Sequence, residues 1–245
     1  MNEPSIVGGL KIGIQSFTFR TFSMERCVAS VAELGVSFIE FCGVHIKVDA
    51  PQAERNTVQS VLARYDVVCN AYGVEALTDD ESANRVKFDF AKEWGVDVLT
   101  ADPTPESFDC LDKLVDEYDI RVAIHNHGPG HRWAKYEDIA EAIKDHDPRI
   151  GYCVDTGHFL RVEGQHPCEI LEAAGDRLHG VHLKSMDIES REYPLGAGAL
   201  DLKKTLETLQ QVSFTGPISI EYEEDPEDPR PELGKSLDLI RNLLA

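Results

Sequence analysis

The sequence predicts an α/β protein, a single-domain (β/α)8 TIM barrel spanning residues 1–245. Three observations predict it. Short β-prone runs alternate with amphipathic helical runs eight times along the chain, and such alternation implies parallel strands joined by crossover helices, in the number that closes a barrel. The first strand is followed by QSFTFRTF, which has no glycine; the Gly-rich, phosphate-cradling turn of the rival doubly wound sheet is therefore missing. No low-complexity linker or shift in composition marks a second domain.

The units follow in order. KIGIQSF (Lys11–Phe17) is a strand, and Ser23 caps the amphipathic run MERCVASVAEL, which Gly35 stops. SFIEF (Ser37–Phe41) is the second strand, and Pro51 opens a helix to Ala63. DVVCNAY (Asp66–Tyr72) is the third, followed by ESANRVKFDFAKEW between Asp79 or Asp80 and Gly95. VDVLTA (Val96–Ala101) is the fourth, with a helix from Pro105 to Tyr118. RVAIHNH (Arg121–His127) is the fifth, broken by Gly-Pro-Gly, with a helix over Tyr136–Lys144. RIGYCVD (Arg149–Asp155) and RLHGVHL (Arg177–Leu183) are the sixth and seventh, with helices at Pro167–Ala174 and Leu202–Gln211. PISIEY (Pro217–Tyr222) is the eighth, and a helix from Pro231 to Leu244 follows.

Composition excludes some partners. Lys and Arg total 24 against 44 Asp and Glu, a formal charge of −20. That surface repels nucleic acid and anionic membranes. No apolar run approaches the roughly 20 residues a membrane helix needs, and MNEPSIVGG does not resemble a signal peptide. The six cysteines lie far apart without a CxxC pair, as reduced core thiols of a cytoplasmic protein do.

Function in such barrels sits at the C-terminal ends of the strands. Those positions here hold Glu40, Asp102, His125 and His127, Asp155 and His158, His182 and Lys184, Glu221 and Glu223. Strand alternation puts His125 and His127 on one face with Asn126 opposite. His125, Asp155, His182 and Glu221 make a candidate metal set. Imidazole and carboxylate without thiolate suit one divalent ion, Mn2+ ahead of Co2+, Zn2+, Fe2+ or Mg2+. Such an ion cancels the repulsion of carboxylates gathered at one mouth. A single strand-end histidine is usually a hydrogen-bonded structural residue, and Glu40 alone could be half of an ordinary ion pair. Coincidence at four strand ends is what singles out the set. His131, His146, His166 and His179 receive no role.

VAIHNHGPG, GYCVDTGHFLR, LHGVHLKSMD, LGAGALDL and ISIEYE fall in order at the expected strands. Together they resemble the xylose isomerase-like TIM barrel superfamily, with its sugar isomerases and epimerases, inosose dehydratases and endonuclease IV. The resemblance covers essentially the whole chain. It implies the same metal ligands, His125, Asp155, His182 and Glu221, and a substrate contact at His158. Ketose epimerases of the superfamily carry Glu where this chain has His125; the HNH variant resembles the inosose dehydratase branch.

The resemblance further implies a divalent-metal-dependent sugar isomerase or epimerase. It would act on a keto-sugar or polyol by proton abstraction next to a carbonyl through a metal-stabilised enediolate. Glu221 or His127 takes the proton, Lys184 bonds a developing oxyanion or hydroxyl, and Glu40 and Arg132 contact substrate. Elimination of water or an aglycone from a keto-sugar, inosose dehydratase-like, is the first alternative, and a non-catalytic sugar-binding or partner subunit the second. Endonuclease activity would need a basic groove that the −20 charge denies. Few basic residues stand near the rim, which favours a neutral substrate over a sugar phosphate. Exposed helices leave room for a homo-oligomer.

Overall fold

The computed structural model describes residues 6–245; the start of the N-terminal stretch read above, residues 1–5, lies outside the described residues. Eight parallel strands close into a barrel: β1 (Lys11–Gln15), β2 (Phe38–Phe41), β3 (Val68–Leu77), β4 (Val98–Pro103), β5 (Arg121–His125), β6 (Ile150–Asp155), β7 (Leu178–Leu183) and, after a two-stranded hairpin of β8 (Ser185–Met186) and β9 (Glu192–Tyr193), β10 (Pro217–Ile220). Around the barrel the order is β1-β10-β7-β6-β5-β4-β3-β2.

The helices are α1 (Met24–Glu33), α2 (Gln52–Arg64), α3 (Glu81–Trp94), α4 (Phe108–Tyr118), α5 (Tyr136–Ile143), α6 (Thr156–Leu160), α7 (Pro167–Ala174), α8 (Leu202–Gln211) and α9 (Arg230–Leu243). Local chemistry sets their ends. Ser23, Asp80 and Asp201 each accept a bond from the backbone N–H three residues on, at 3.4, 3.1 and 3.0 Å. Gly95 closes α3 in the left-handed region, at φ 66°. Apolar stripes of the helices pack on the outside of the strands in one continuous core. Inside the barrel, Ala71, Val98, Ala123 and Cys153 form a separate layer of small residues. None of the six cysteines is in a disulfide. Among the described residues no helix is long and apolar enough to cross a membrane.

Several boundaries differ from expectation by a few residues, among them the fourth strand, which is Val98–Pro103, and those at the C-terminal rim bear on the site. The first strand stops at Gln15, whose side chain accepts from Phe17 N–H at 3.1 Å and starts a 3-10 turn over Ser16–Phe19. The third strand runs on to Leu77 because it keeps pairing with β4. The fifth ends at His125 and the eighth at Ile220, so His127 and Glu221 lie just past their strands. The helix α6 and the β8–β9 hairpin were not expected.

Candidate metal centre and active site

Period two along each strand selects the inward-facing residues, and the last of them form the site. On β5 these are Ala123 and His125, on β6 Cys153 and Asp155, on β7 Gly180 and His182, and on β10 Ser219, with Glu221 next in phase. One ligand atom from each of His125, Asp155, His182 and Glu221 lies within 4.8 Å of the others. His125 Nε2 is 3.1 Å from His182 Nδ1 and 3.5 Å from Asp155 Oδ2. His182 Nδ1 is 3.2 Å from Glu221 Oε2 and 4.0 Å from Asp155 Oδ2. The expected ligand set therefore converges.

Residues around the set orient it. Glu40 is 1% exposed, and its Oε2 accepts from His182 Nε2–H at 2.9 Å and from Ser219 Oγ at 2.6 Å. A carboxylate can only accept, so Nε2 of His182 carries a proton and Nδ1 faces the other three residues. Burial opposes a charged ring, yet Cys153 and Glu40 beside it raise the His182 pKa, and a cation at Nδ1 would hold the ring neutral. Asn126 is fully buried; its side chain accepts from Asp155 N–H at 2.7 Å and donates to Asp155 O at 3.0 Å. Asp155 Oδ1 then caps α6, accepting from His158 N–H at 2.7 Å. Its Oδ2, buried and inside the convergence, has no hydrogen-bond partner.

These observations fit a divalent cation. Two facing ring nitrogens can share only one proton, and an unpartnered buried carboxylate oxygen is costly. A hard or borderline ion on two imidazoles and two carboxylates resolves both, and His125, Asp155, His182 and Glu221 would hold it. A second acidic group, Asp109, Asp112 and His146, has no such vacancy of partners: Asp112 already accepts from His146 Nδ1 and Asp147 N–H.

Charge is concentrated here. Burial opposes ionising Glu221, but Lys184 and His182 beside it hold its pKa down at about 2. Burial likewise opposes Asp155, and His158, His125 and Lys184 hold it below the carboxylate range. Lys184 is 1% exposed; burial disfavours its charge, yet Glu221 and Asp155 raise its pKa. Its Nζ is 3.6 Å from Glu221 Oε2 and bonds Glu223 Oε1. Thr156 fixes Lys184 further, its Oγ accepting from Lys184 N–H at 3.0 Å and donating to Lys184 O at 2.7 Å. On β9, burial pushes Glu192 up to about 8; its Oε2 accepts from Glu223 N–H at 3.1 Å.

The remaining expected residues take different places. His127 and His158 join the site, with ring centroids 4.6 and 5.8 Å from that of His125. Burial, with His125, His158 and His131 close by, lowers the His127 pKa to about 3, so its ring is neutral. Arg132 points to Asp102, Nε to Oδ1 at 3.6 Å. Asn126, Ser219, Thr156, His131, Arg161 and Glu192 were not read as site residues. Asn126 faces away from the ligands by alternation, and only the neighbouring strand shows what it holds.

A family model described as xylose isomerase-like TIM barrel matches residues 23–243. The chain belongs to the xylose isomerase-like TIM barrel family. Among relatives of this xylose isomerase-like barrel, an inosose dehydratase of Bacillus velezensis is 26% identical over 229 residues, 85% of this chain and 68% of its own length. The chain spans about half the length of other inosose dehydratases that it matches, from Clostridium tetani and Lacticaseibacillus casei. A solved protein of Parabacteroides distasonis superposes with a TM-score of 0.76 at 26% identity, over 96% of this chain and 99% of that one. The 3-keto-D-glucoside 4-epimerase of Escherichia coli superposes with a TM-score of 0.75 at 18% identity, over 95% and 99% of the two chains, a likeness of fold.

Proposed function

We propose that this xylose isomerase-like barrel is a divalent-metal-dependent isomerase or epimerase of a keto-sugar or polyol. The carrying observation is the convergence of His125, Asp155, His182 and Glu221 around a buried, unpartnered Asp155 oxygen. Mn2+ is the ion we expect there. When bound, it supplies a Lewis acid that makes a proton next to a substrate carbonyl more acidic.

The chain's own groups would handle that proton. Glu221 follows β10 and His127 follows β5, so they approach a substrate in the barrel mouth from different sides. Glu221 is ionised and His127 is a neutral ring, so either can accept a proton. Lys184 has three N–H donors; two carboxylates face it, and a third donor is left for a developing oxyanion or hydroxyl. His158 is placed to contact substrate hydroxyls, and Arg132, half-exposed over Asp102, to reach substrate only at its outer end. Glu40, expected at the substrate, serves in this reading to hold His182 for the metal. Return of the proton to the neighbouring carbon gives isomerisation, and return to the opposite face gives epimerisation.

A second reading is dehydration, favoured by the alignment with an inosose dehydratase over 85% of this chain. The same abstraction, followed by loss of a β-hydroxyl, gives that product. Incubation of Mn2+-loaded protein in D2O with D-fructose, D-psicose, a 3-keto-glucoside and an inosose separates the two. Deuterium at a carbon next to the carbonyl in a product that keeps all its hydroxyls supports isomerase or epimerase. Loss of one hydroxyl supports the dehydratase. No exchange and no turnover with metal bound would leave the non-catalytic alternative.

A further inference from the structure

The two sides of the rim differ in chemistry. Toward β10, β2 and the β8–β9 hairpin lie Glu221, Glu40, Glu223 and Glu192. Toward β5 and β6 lie His127, His131, His158 and Arg161. The His127 and His131 rings stack with centroids 4.9 Å apart, and His127 and His158 are 5.6 Å apart. Arg161, at the end of α6, donates from one terminal nitrogen to His158 Nδ1 at 3.3 Å. It lies so close over Gly128 that a Cβ there would come within 2.6 Å of the guanidinium.

Arg161 differs from Arg132 and Lys184, and it stands on the histidine side of the rim, whereas Arg20, which also has a buried nitrogen without an acceptor, donates to Glu223 O on the acidic side. Arg132 faces Asp102, and Lys184 faces Glu221 and Glu223. Arg161 has no carboxylate partner among the described residues, and its Nε is buried without any acceptor. An ionised group with an unmade buried hydrogen bond is costly, and the cost is removed by an acceptor carrying negative charge. With 44 acidic residues against 24 basic ones, the chain does not lack carboxylates to place there.

We propose that the corner formed by Arg161, Gly128, His131 and His158 binds an anionic group of the substrate, a carboxylate or a phosphate. The substrate class is then an acidic keto-sugar, either a keto-uronate or a ketose phosphate, held by its charge at β5–β6 with its carbonyl over the ligand set. Gly128 is required because a side chain would displace the guanidinium. This rests on the sugar reaction proposed above, and it replaces the neutral substrate expected from the scarcity of rim cations: one unpaired guanidinium is enough for one anion.

Calorimetric titration of Mn2+-loaded protein with D-fructose, D-fructuronate, D-fructose 6-phosphate and inorganic phosphate tests it. Wild type should bind one or both acidic sugars at least about tenfold tighter than fructose, as a charge-assisted bond implies. Preference for the uronate alone identifies a carboxylate site, and for the phosphate alone a phosphate site. In Arg161→Met the ratio of acidic to neutral affinity should fall to about one, and Arg161→Lys, which keeps the charge, should retain part of it. Equal affinities in wild type, or a preference that survives Arg161→Met, overturns the proposal. If inorganic phosphate binds in an Arg161-dependent way while no sugar binds, the sugar reaction is wrong and the anion site stands. If the sugars bind without preference and phosphate binding ignores Arg161, the anion site is wrong and the sugar reaction stands.

Discussion

Glu40 of β2 and His182 of β7 meet across the barrel, Oε2 to Nε2 at 2.9 Å, though 142 residues separate them. The contact fixes the His182 tautomer and aims Nδ1 at Asp155, Glu221 and His125. In the proposed metal site this makes Glu40 a positioning residue. Glu40→Gln keeps the size but can present an N–H to the ring. It should weaken divalent-metal affinity by about 10–100-fold with little change in fold, read by competitive metal titration alongside circular dichroism. Unchanged affinity would return Glu40 to the substrate contact first expected of it.

Asn126 should matter for stability as well as for the site. It is fully buried and bonds both backbone groups of Asp155. Asn126→Ala removes the partner of the buried Asp155 N–H, while the Asp155 C=O keeps the first helical bond of α6, a loss on the order of 1–3 kcal/mol. Denaturant unfolding of the metal-free protein would show it as a lower midpoint at constant slope. A change smaller than about 0.5 kcal/mol would mean that Asp155 is held by other groups.

The repeating scaffold and the four converging side chains, His125, Asp155, His182 and Glu221, were legible in the sequence because both follow local rules. Alternation of strand and helix needs only a short window, and strand-end positions of period two pick out Asp155 and His182 directly. Contacts between distant strands are not visible in such windows, which is why Glu40 on His182 and Asn126 on Asp155 were missed. The five-residue α6 has too few residues for an amphipathic pattern, and its start is set by Asp155, a residue already assigned as a ligand. His131 follows Gly-Pro-Gly, and only the folded loop stacks it on His127.

Gly157, in the turn VDTGH, leaves room for Lys184. A Cβ there would lie 2.8 and 2.9 Å from Lys184 Cγ and Cβ and 3.0 Å from Met186 Cγ. Gly157→Ala should push Lys184 away from Glu221 and lower kcat by about 10–100-fold, since small misplacements near the chemistry have effects of that size. Metal content should stay at the wild-type level. Loss of metal together with activity would show that the turn serves the ligands instead of Lys184.

His179 predicts a pH dependence remote from the metal centre. Burial, followed by Arg121 and Arg177, lowers its pKa from 6.5 to about 4. The folded state therefore holds a neutral ring, and its Nε2–H donates to Pro148 O at 2.9 Å. Above pH 6.5 neither folded nor unfolded chain takes the proton. Between 6.5 and 4 the unfolded chain takes it first, so stability present at neutral pH is lost as pH falls, by on the order of 3 kcal/mol in full. Thermal unfolding from pH 7.5 to 4.5 should show His179→Gln less stable than wild type at neutral pH and the gap closing as pH falls. A gap constant across that range would contradict the assignment.

The central claim is a divalent-metal site made by His125, Asp155, His182 and Glu221, and elemental analysis of purified protein tests it most directly. Wild type loaded with Mn2+ and desalted should retain one ion per chain, while Asp155→Ala and Glu221→Ala, folded by circular dichroism, should retain none. One ion per chain in either variant, or none in wild type, would contradict it.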